Sequence, residues 1–568
     1  MAVLYSAPDT VEQLSGLSLR GTMLTTTQCH DRRHVLPFVL SHRGKDYFLV
    51  RQVELGNLAG AGFTHLPVVP FLPYFLPDPV EGVHETAAKA ALAVAGSDPI
   101  TVDAATPVSV FEELGGAATV SVQREPGVPV WAYKLTRQKV LGAFNHHRPE
   151  VVDVAQRLTA GHPQADRLGR WYAADENTSF ELLDRMAGER GIGALLATWV
   201  TDFQELAGLP GRLAEFAGCC ALYLVGTGET WVLAKAGYGV PGEMPVRSYP
   251  DIASAVRDIA GSAVVGYEAD TMGASAFLDL VDRGVDLADG GGVMRDWREE
   301  KAHCDIPYFV VCAMASRYAI DSAIDFARRA IRGGVQISEK DVDRIYVARV
   351  REFAREWALP IQLELYFTNN HAGARSIYPS RPVDYKLDSG IVSLKADAGL
   401  FAYDDGLFHA CSDIARTLTT TGPASEVFDA MEKVMLEQTI PGILPGMTGA
   451  EIHEMGTNQM GGSEPVFRMH GFMPDGFHWR TGYKRDIGHV LERQESNTFG
   501  FKPGVTRPVH AGMVGCVEFH CAYDGHGMTC EDTFVIDEGG AIVISRGAEE
   551  FGSSGIVTNR RRSGCWVL

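Results

Sequence analysis

Carboxylates placed inside apolar strands constrain this chain more than any other feature of its sequence. Glu518 lies in "MVGCVEFHC" and Glu531 lies in "MTCEDTFVI", two runs with the composition of buried β-strands. A lone buried carboxylate costs far more free energy than it returns, so each acid requires a partner in the folded protein. Strand alternation also places Glu518 on the same face as Cys516. We therefore expect a fold in which several strands bring such acids to one site.

Five residues of the last third of the chain are candidates for this site. They are Asp388 in "KLDSG", Asp413 in "CSDIART", His489 in "DIGHVLE", Glu518 and Glu531. Any one of them alone is compatible with an ordinary exposed or hydrogen-bonded strand residue. Together, four carboxylates and one imidazole suit manganese, iron, cobalt or zinc, and several carboxylates are what a pair of divalent ions needs for bridging. The residues therefore predict a site for two divalent metal ions and leave the metal open.

The length of 568 residues implies more than one hydrophobic core, because single cores stop growing at roughly 250–300 residues. Two N-terminal segments repeat the same order of apolar strands, acids and amphipathic helices, which predicts α/β units at 1–165 and 166–298. We interpret them as related copies, although two unrelated α/β units would give the same order. The remaining residues, 299–568, are predicted to form an α+β domain.

Helix signals are clearest at the start of this third region. Apolar residues at helical spacing predict one long helix from about residue 299 to Gly333 and Gly334. The next helix is expected to begin at Ser338, with Asp341 completing a capping box. Further helices are predicted at 425–440 and after 445–455, and strands and turns in the final hundred residues.

Composition excludes some classes of function. A formal net charge of −20 argues against a general affinity for nucleic acid, which needs a basic surface. We find no pattern of a secretory signal and no uncharged stretch long enough to cross a membrane, so a cytoplasmic protein is expected.

The Pro-rich segment at 65–80 is predicted to be a surface loop. The ten cysteines form no C-x-x-C pair and are expected to be reduced and buried. Cys565 in "CWVL" fits a prenylation box, which chance also supplies, and no lipid is expected there.

The order of these motifs resembles the metal site of a known family. The series D-x-G, S-D-I-x-R-T, G-H, a glutamate in an apolar strand and E-D-T is similar to that of the pita-bread fold family, which contains aminopeptidase P, methionine aminopeptidase, prolidase and creatinase. "ILPGMTGAEIH" resembles the Pro-Gly turn between helices of that family. The resemblance implies a C-terminal pita-bread domain preceded by two creatinase-N-like α/β domains, as in three-domain aminopeptidase P.

The resemblance also implies a chemistry. It assigns Asp388, Asp413, His489, Glu518 and Glu531 as ligands of two divalent ions, and a metal-bridging hydroxide that attacks an amide carbonyl. His371 lies 17 residues before Asp388, where the family keeps a histidine that contacts the substrate and helps to stabilise the reacting carbonyl. The implied partners are a short peptide or a small molecule and a second copy of the chain in a homodimer.

The first D-x-G aspartate is not settled by the residues alone. Asp388 and Asp413 are 25 residues apart, more than the tight hairpin of the family spans. "ADAG" offers Asp397 as a second candidate, but residue 380, at the matching distance upstream, is Ser rather than His. We therefore predict Asp388 as the ligand in an elaborated hairpin over 389–412, with Asp397, Asp404 and Asp405 as the alternatives.

A second departure from the family concerns the substrate. Arg485 and Ser496 stand where peptidases of this family have histidines that handle protons around the ligand histidine, and His520 or His526 would have to replace them. Arg485 could instead clamp a substrate carboxylate. We therefore keep three hypotheses: an Xaa-Pro aminopeptidase, an enzyme acting on a small non-peptide carboxylate as creatinase, ectoine hydrolase or dimethylsulfoniopropionate lyase do, and a metal-free binding module.

Overall fold

The structure is a computed structural model of the whole chain, and it describes residues 1–17, 37–60, 62–73, 82–173, 180–300, 305–377, 380–388, 393–494, 496–523, 526–552, 557 and 566–567. Parts of the first predicted repeat, of the Pro-rich segment and of the 389–412 hairpin lie outside these residues, as does Cys565. Among the described residues, no helix is both long and apolar enough to cross a membrane.

The first α/β unit is built on a six-stranded sheet in the order β4-β3-β2-β1-β5-β6. Its strands are β1 Ala2–Tyr5, β2 Phe38–His42, β3 Lys45–Arg51, β4 Val68–Phe71, β5 Ile100–Val102 and β6 Val120–Val122. Its helices are α1 Pro8–Ser15, α2 Leu55–Gly60, α3 Ala87–Ala95 and α4 Val108–Gly115. The alanine-rich face of α3 packs on the apolar side chains of β1, β2 and β5.

The second α/β unit is built on a seven-stranded sheet in the order β11-β7-β10-β9-β8-β12-β13. Its strands are β7 Val130–Thr136, β8 Ala194–Ala197, β9 Cys220–Leu224, β10 Glu229–Lys235, β11 Arg247–Tyr249, β12 Val265–Tyr267 and β13 Leu287–Asp289. The helices of this part of the chain are α5 Arg137–Ala143, α6 Arg148–Leu158, α7 Ala165–Tyr172, α8 Phe180–Glu189, α9 Val200–Ala207, α10 Arg212–Ala217, α11 Ile252–Ala260, α12 Ala274–Asp282 and α13 Gly291–Glu300.

The two sheets share a five-stranded core with one topology. In the first sheet, β1 pairs antiparallel with β2 and parallel with β5. Beyond these strands, β3 pairs antiparallel with β2, and β6 pairs parallel with β5. In the second sheet, β8 has the same relations to β9 and β12, followed by β9–β10 and β12–β13. This equivalence supports the interpretation of the two units as copies.

The boundary predicted at residue 165 does not match the sheets. Strand β7, at Val130–Thr136, pairs with β10 and β11 of the second sheet, although it lies inside the range predicted for the first unit. The apolar strand pattern that sequence analysis used does not reveal which sheet a strand joins. We therefore propose the boundary between Val122 and Val130.

The third region begins with two long helices. Helix α14, Ile306–Arg332, ends at Gly333 as predicted, and it begins later than residue 299. Pro307 accounts for the later start, because proline lacks the N–H that an interior helical position must donate and is tolerated in the first turn. Helix α15, Glu339–Glu356, has Ser338 as its N-cap, and the capping box of Ser338 with Asp341 is present as predicted.

The large sheet of this region has eleven strands, with the main order β15-β18-β20-β24-β23-β21-β22. The strands of the region are β14 Ile337–Ser338, β15 Gln362–Thr368, β16 His371–Ala372, β17 Lys386–Leu387, β18 Ser393–Asp404, β19 Leu407–Cys411, β20 Ile414–Thr419, β21 Gly488–Leu491, β22 Ser496–Gly500, β23 Val514–Tyr523, β24 His526–Asp537, β25 Gly540–Val543 and β26 Trp566–Val567. Only β14 and β17 lie outside it, paired with each other.

Helices cover the large sheet in two groups. The first group is α14 and α15. The second group is α16 Gly422–Val434, α17 Ile440–Gly442, α18 Gly449–Gly461, α19 Glu464–Met469 and α20 Trp479–Gly482, with a π-helical turn at Met435–Thr439. One apolar core joins α14 and α15 to β18 and β20, and it also contains side chains of α6 and α7. A second core joins α16 and α18 to β23 and β24. The polar residues between these cores form the candidate site.

Candidate metal centre

Four adjacent strands place the acids side by side. Asp397 of β18 pairs with Ala415 of β20, and Asp413 immediately precedes β20. Ala415 in turn pairs with Glu531 of β24, and Glu531 pairs with Glu518 of β23. Since residues opposite one another in a sheet share a face, the four carboxylates meet across three strand pairs.

Three of these acids form an oxygen-only cluster. One carboxylate oxygen each of Asp397, Asp413 and Glu531 lies within 4.8 Å of the others, and all three residues are buried. Burial, together with the charges of neighbouring acids, raises the pKa values of Asp413 and Glu531 well above their usual range. Glu531 Oε1 has no hydrogen-bond partner among the described residues. Crowded, buried and partly unsatisfied carboxylates are the donor set that a hard divalent cation requires.

His489 brings a nitrogen donor to the same acids. Its Nε2 lies 3.6 Å from Asp413 Oδ2, and burial lowers its pKa, which favours the neutral imidazole that binds metals. Gly488 makes this position possible, because its φ of 138° is open to glycine and a Cβ there would lie 2.1 Å from the Cys516 carbonyl oxygen. His489, Cys516 and Glu531 form a second group whose possible ligand atoms lie within 4.8 Å of one another.

Glu518 faces an arginine and a histidine. Arg485 Nη2 donates to Glu518 Oε1 at 3.1 Å, and His520 Nε2 contacts the other carboxylate oxygen. Thr529 Oγ1 lies 2.7 Å from His520 Nδ1 and fixes the ring. Although burial by itself raises the pKa of Glu518, Arg485 and His520 hold it well below the usual range. Glu518 is therefore ionised and ready to act as a ligand, with Arg485 positioning it.

The structure does not bring Asp388 to the other acids. Asp388 is exposed after the short strand β17, which belongs to the two-stranded sheet with β14. Asp397, one of the alternatives, occupies the position beside Asp413 that had been predicted for Asp388. The other two alternatives lie elsewhere: Asp404 contacts His147, and Asp405 forms the turn between β18 and β19 with a positive φ. The spacing from His371 does not reveal which aspartate meets Asp413, because strand pairing decides this.

His371 lies on the site face, but its geometry does not favour the predicted role. It pairs with Lys395 in β18, two residues before Asp397. Its Nε2 contacts the carbonyl oxygen of Ser380, which assigns the proton to Nε2, and Nδ1 has no partner among the described residues. Burial, followed by Lys395 and Arg375, lowers the pKa of His371 well below its usual range. A neutral ring with its only proton donated to Ser380 can accept a hydrogen bond at Nδ1 and cannot donate one to an oxyanion.

Lys395 is a site residue that sequence analysis missed. It is 1% exposed, and its Nζ lies 3.4 Å from Asp397 Oδ2. Lys395 and Asp397 share a face of β18, whereas Ala396 and Ala398 point into the core with α14. The signal was available in "SLKADAG", since a lysine two residues from a buried acid in an apolar strand lies on the same face.

Two motif residues that do not face the metal centre, Arg416 of S-D-I-x-R-T and Asp532 of E-D-T, support it through a buried ion network. Arg416 of "SDIART" donates from Nη2 to Asp532 Oδ1 at 2.9 Å, and Arg546 Nη2 donates to Asp532 Oδ2 at 2.6 Å. Arg416 also contacts the carbonyl oxygen of Glu531. Against the effect of burial, the two guanidinium groups lower the pKa of Asp532. This buried network fixes β20 against β24 and so fixes the distance between Asp413 and Glu531.

Comparison with known proteins gives a family match for this part of the chain. Residues 312–538 match the model of Metallopeptidase family M24, a range that contains all the residues of the centre described above except Arg546. No curated protein matches the sequence of the chain.

Among solved structures, X-prolyl aminopeptidase from Caenorhabditis elegans, described as a cytosolic enzyme with a di-nuclear active site, covers 94% of this chain and 83% of its own at 12% identity and a TM-score of 0.57. This match establishes a shared fold over nearly the whole length. X-Pro aminopeptidase from Thermotoga maritima MSB8 covers 69% of this chain and 100% of its own at 15% identity and a TM-score of 0.47. The prolidase from Pyrococcus horikoshii OT3 covers 65% and 98% at 16% identity and a TM-score of 0.48.

Proposed function

We propose that the chain is a dinuclear metal-dependent hydrolase that cleaves an amide bond, and the match of residues 312–538 to the model of Metallopeptidase family M24 supports this proposal. The observation that carries the proposal is the cluster of Asp397, Asp413 and Glu531, whose buried oxygens meet within 4.8 Å. Without a cation, such a cluster is electrostatically unfavourable.

The residues that would hold two ions divide into two overlapping sets. Asp397, Asp413 and Glu531 would supply oxygens to one metal position. Asp413 and Glu531 would also contribute to the other position, together with His489 and Glu518. Bound divalent ions lower the pKa of water and polarise a carbonyl group. The C. elegans enzyme with a di-nuclear active site shares the fold, which supports two ions as the number to test. Manganese is one of four candidate metals, with iron, cobalt and zinc.

The chain's own residues would bind and orient the substrate. Lys395 presents an ammonium group to the site face of β18, next to Asp397, and we propose it as the donor to the substrate oxygen. His371 Nδ1 can accept a hydrogen bond from a substrate N–H or O–H. His520 is buried against Glu518, and its pKa is lowered by burial and by Arg485. A neutral His520 is suited to exchange a proton at the site.

A second candidate is favoured by the cations of the site. Lys395 and Arg485 both face ligand acids, whereas positions 485 and 496 lack the histidines expected of an Xaa-Pro peptidase. A small substrate with its own carboxylate would compensate these cations when the acids bind metal ions. Arg485 stays our proposed substrate-binding residue, although its guanidinium donates to Glu518 and lies 3.4 Å from Asp486.

One experiment separates these functions. Metal content of the purified protein is measured first, and the metal-loaded protein is then assayed with Xaa-Pro dipeptides and with small amides, amidines and sulfonium acids that carry a carboxylate. Asp413→Ala and Glu518→Ala should lose most of the metal and all activity while staying folded. A protein that binds no divalent metal under any of these conditions would be the metal-free binding module instead.

Assembly and location are further proposals. We propose a cytoplasmic homodimer, and the resemblance of the sequence motifs to the pita-bread fold family supports this proposal. Molecular mass in solution tests the dimer directly.

A further inference from the structure

Cys516 places a thiol inside the proposed metal centre. Its Sγ lies 3.3 Å from His489 Nε2 and 3.5 Å from Nδ1. The possible ligand atoms of His489, Cys516 and Glu531 all lie within 4.8 Å of one another, and the three residues are 2%, 0% and 1% exposed. Glu531 also has a carboxylate oxygen, Oε1, without a hydrogen-bond partner among the described residues.

Strand pairing brings the thiol to this place. Cys516 is directly opposite His489 in the β21–β23 pair and shares a face of β23 with Glu518. Gly488 and Gly515 permit the close approach, because a Cβ at Gly515 would lie 2.8 Å from the His489 carbonyl oxygen. The arrangement is therefore fixed by backbone and does not depend on a flexible side chain.

Other buried cysteines have a different environment. The Cys312 and Cys411 thiols each donate to a backbone carbonyl at 3.1 Å. Cys530 adjoins Glu531 in sequence but packs in the apolar core of α16 and α18. Cys516 has a carbonyl, that of His489, only at 3.8 Å, and its shorter contacts are with the two ring nitrogens of that residue.

We propose that Cys516 is a thiolate ligand of the cation held by His489 and Glu531. The proposal rests on the metal-dependent function proposed above and deepens it. A sulfur and a nitrogen bound to one tetrahedral zinc at about 2.3 Å and about 2.0 Å lie roughly 3.5 Å apart, close to the observed separation. On binding, a divalent cation displaces the thiol proton, which passes to solvent.

The consequence is two unlike metal positions. Asp397, Asp413 and Glu531 offer oxygen only and suit a hard ion such as manganese. The position with Cys516 and His489 adds sulfur and nitrogen, which favour zinc or cobalt. The centre is therefore expected to bind zinc or cobalt more tightly than manganese at one of its positions.

The test uses the full chain, stripped with a chelator and reloaded with Co(II). The unmodified protein should show a near-ultraviolet sulfur-to-cobalt charge-transfer band. Cys516→Ala and Cys516→Ser should bind cobalt without that band, and their zinc affinity should fall by about tenfold or more, the scale on which lost metal contacts act. Cys530→Ala, a matched change next to Glu531 on the opposite face, should keep the band and the zinc affinity.

X-ray absorption of the zinc-loaded native protein gives a second readout that needs no variant, with a sulfur neighbour expected at about 2.3 Å from zinc. Cobalt bound without the band, or zinc with nitrogen and oxygen neighbours alone, overturns the role of Cys516 and leaves the proposed function standing. Failure of the native protein to bind any divalent ion overturns both.

Discussion

Single carboxylates in this protein differ by the charges that they face. Glu518 lies against Arg485 and His520 and has a lowered pKa, whereas Asp413 and Glu531 face other acids and have raised pKa values. All three residues are buried, so burial alone does not separate them. The contrast identifies where a cation is missing and where a side chain already supplies one.

Asp397 is expected to be required for metal binding, in contrast to Asp388. Asp397→Asn keeps the size of the side chain and removes its charge, so metal affinity should fall by at least about 10- to 100-fold. Asp388→Asn makes the same change at an exposed position and should leave metal content unaltered. Elemental analysis of the two purified variants compares them, and metal loss in Asp388→Asn alone would restore the ligand set predicted from sequence.

Removal of the metal should give stability an unusual pH dependence. The folded Asp413 has a raised pKa, so the chelated folded protein holds this proton above the usual value of about 3.9 for an unfolded aspartate. Stability from this group is present below that value and is lost as pH rises through the raised pKa. Chelated Asp413→Asn should therefore melt above chelated unmodified protein at pH 8, and this difference should shrink towards pH 5.

Divalent metal should reverse that order, because the ionised carboxylate then binds the cation and the amide does not. Thermal denaturation of both proteins, with and without metal, measures the four curves. Equal melting temperatures of the two chelated proteins at pH 8 would show that the acids are not crowded.

Strands β20 and β24 are held together by a buried ion network as well as by their backbone pairing. Asp532 accepts from Arg416 and Arg546, and all three side chains are inaccessible to solvent. Removal of one member of a buried network leaves an uncompensated charge, which is more costly than the loss of a surface pair.

Asp532→Ala is therefore expected to destabilise the protein by about 3–5 kcal/mol. Asp388→Ala, an aspartate truncated at an exposed position, should change stability by no more than about 0.5 kcal/mol. Denaturant titration of the metal-free forms measures both without a contribution from metal binding. A change below about 1 kcal/mol for Asp532→Ala would mean that the guanidinium groups find other partners or water.

Elements with local signals were predictable, whereas their pairing was not. The capping box of Ser338, the end of α14 at Gly333 and the helix at 425–440, which extends as a π-helical turn, all carry their signal within a few residues. Asp413, His489, Glu518 and Glu531 could be selected because each is an unusual residue in an apolar strand. The choice between Asp388 and Asp397 depends on β18–β20 pairing, which acts over the whole hairpin and leaves no local mark.

The second α/β unit and the large sheet are joined by charges buried between them. Arg493, four residues after His489, donates to Glu205 of α9 at 2.6 Å and lies 2.5 Å from Asp305. Arg298 of α13 donates to Glu492 at 2.7 Å. The strand that carries a proposed metal ligand therefore continues directly into the contact with the second α/β unit.

Arg493→Met should lower the stability of the whole protein by about 3–5 kcal/mol, because Glu205 and Asp305 lose their buried cation. Arg157→Met, on an exposed arginine of α6, serves as the matched control and should have little effect. Thermal denaturation measures the stability of both variants, and elemental analysis measures their metal content. Metal content should be retained in both variants, and a stability unchanged by Arg493→Met would show that the second unit and the large sheet are held together by other contacts.

Helices α6 and α7 precede most of the second sheet in the chain, yet their apolar side chains lie in the core of α14 and the large sheet. A gene fragment that encoded residues 312–538 alone would thus inherit every proposed ligand and lose part of the core that supports them. The third region is therefore not an independent evolutionary unit. We expect recombination that preserves the centre to transfer the whole segment from α6 onward.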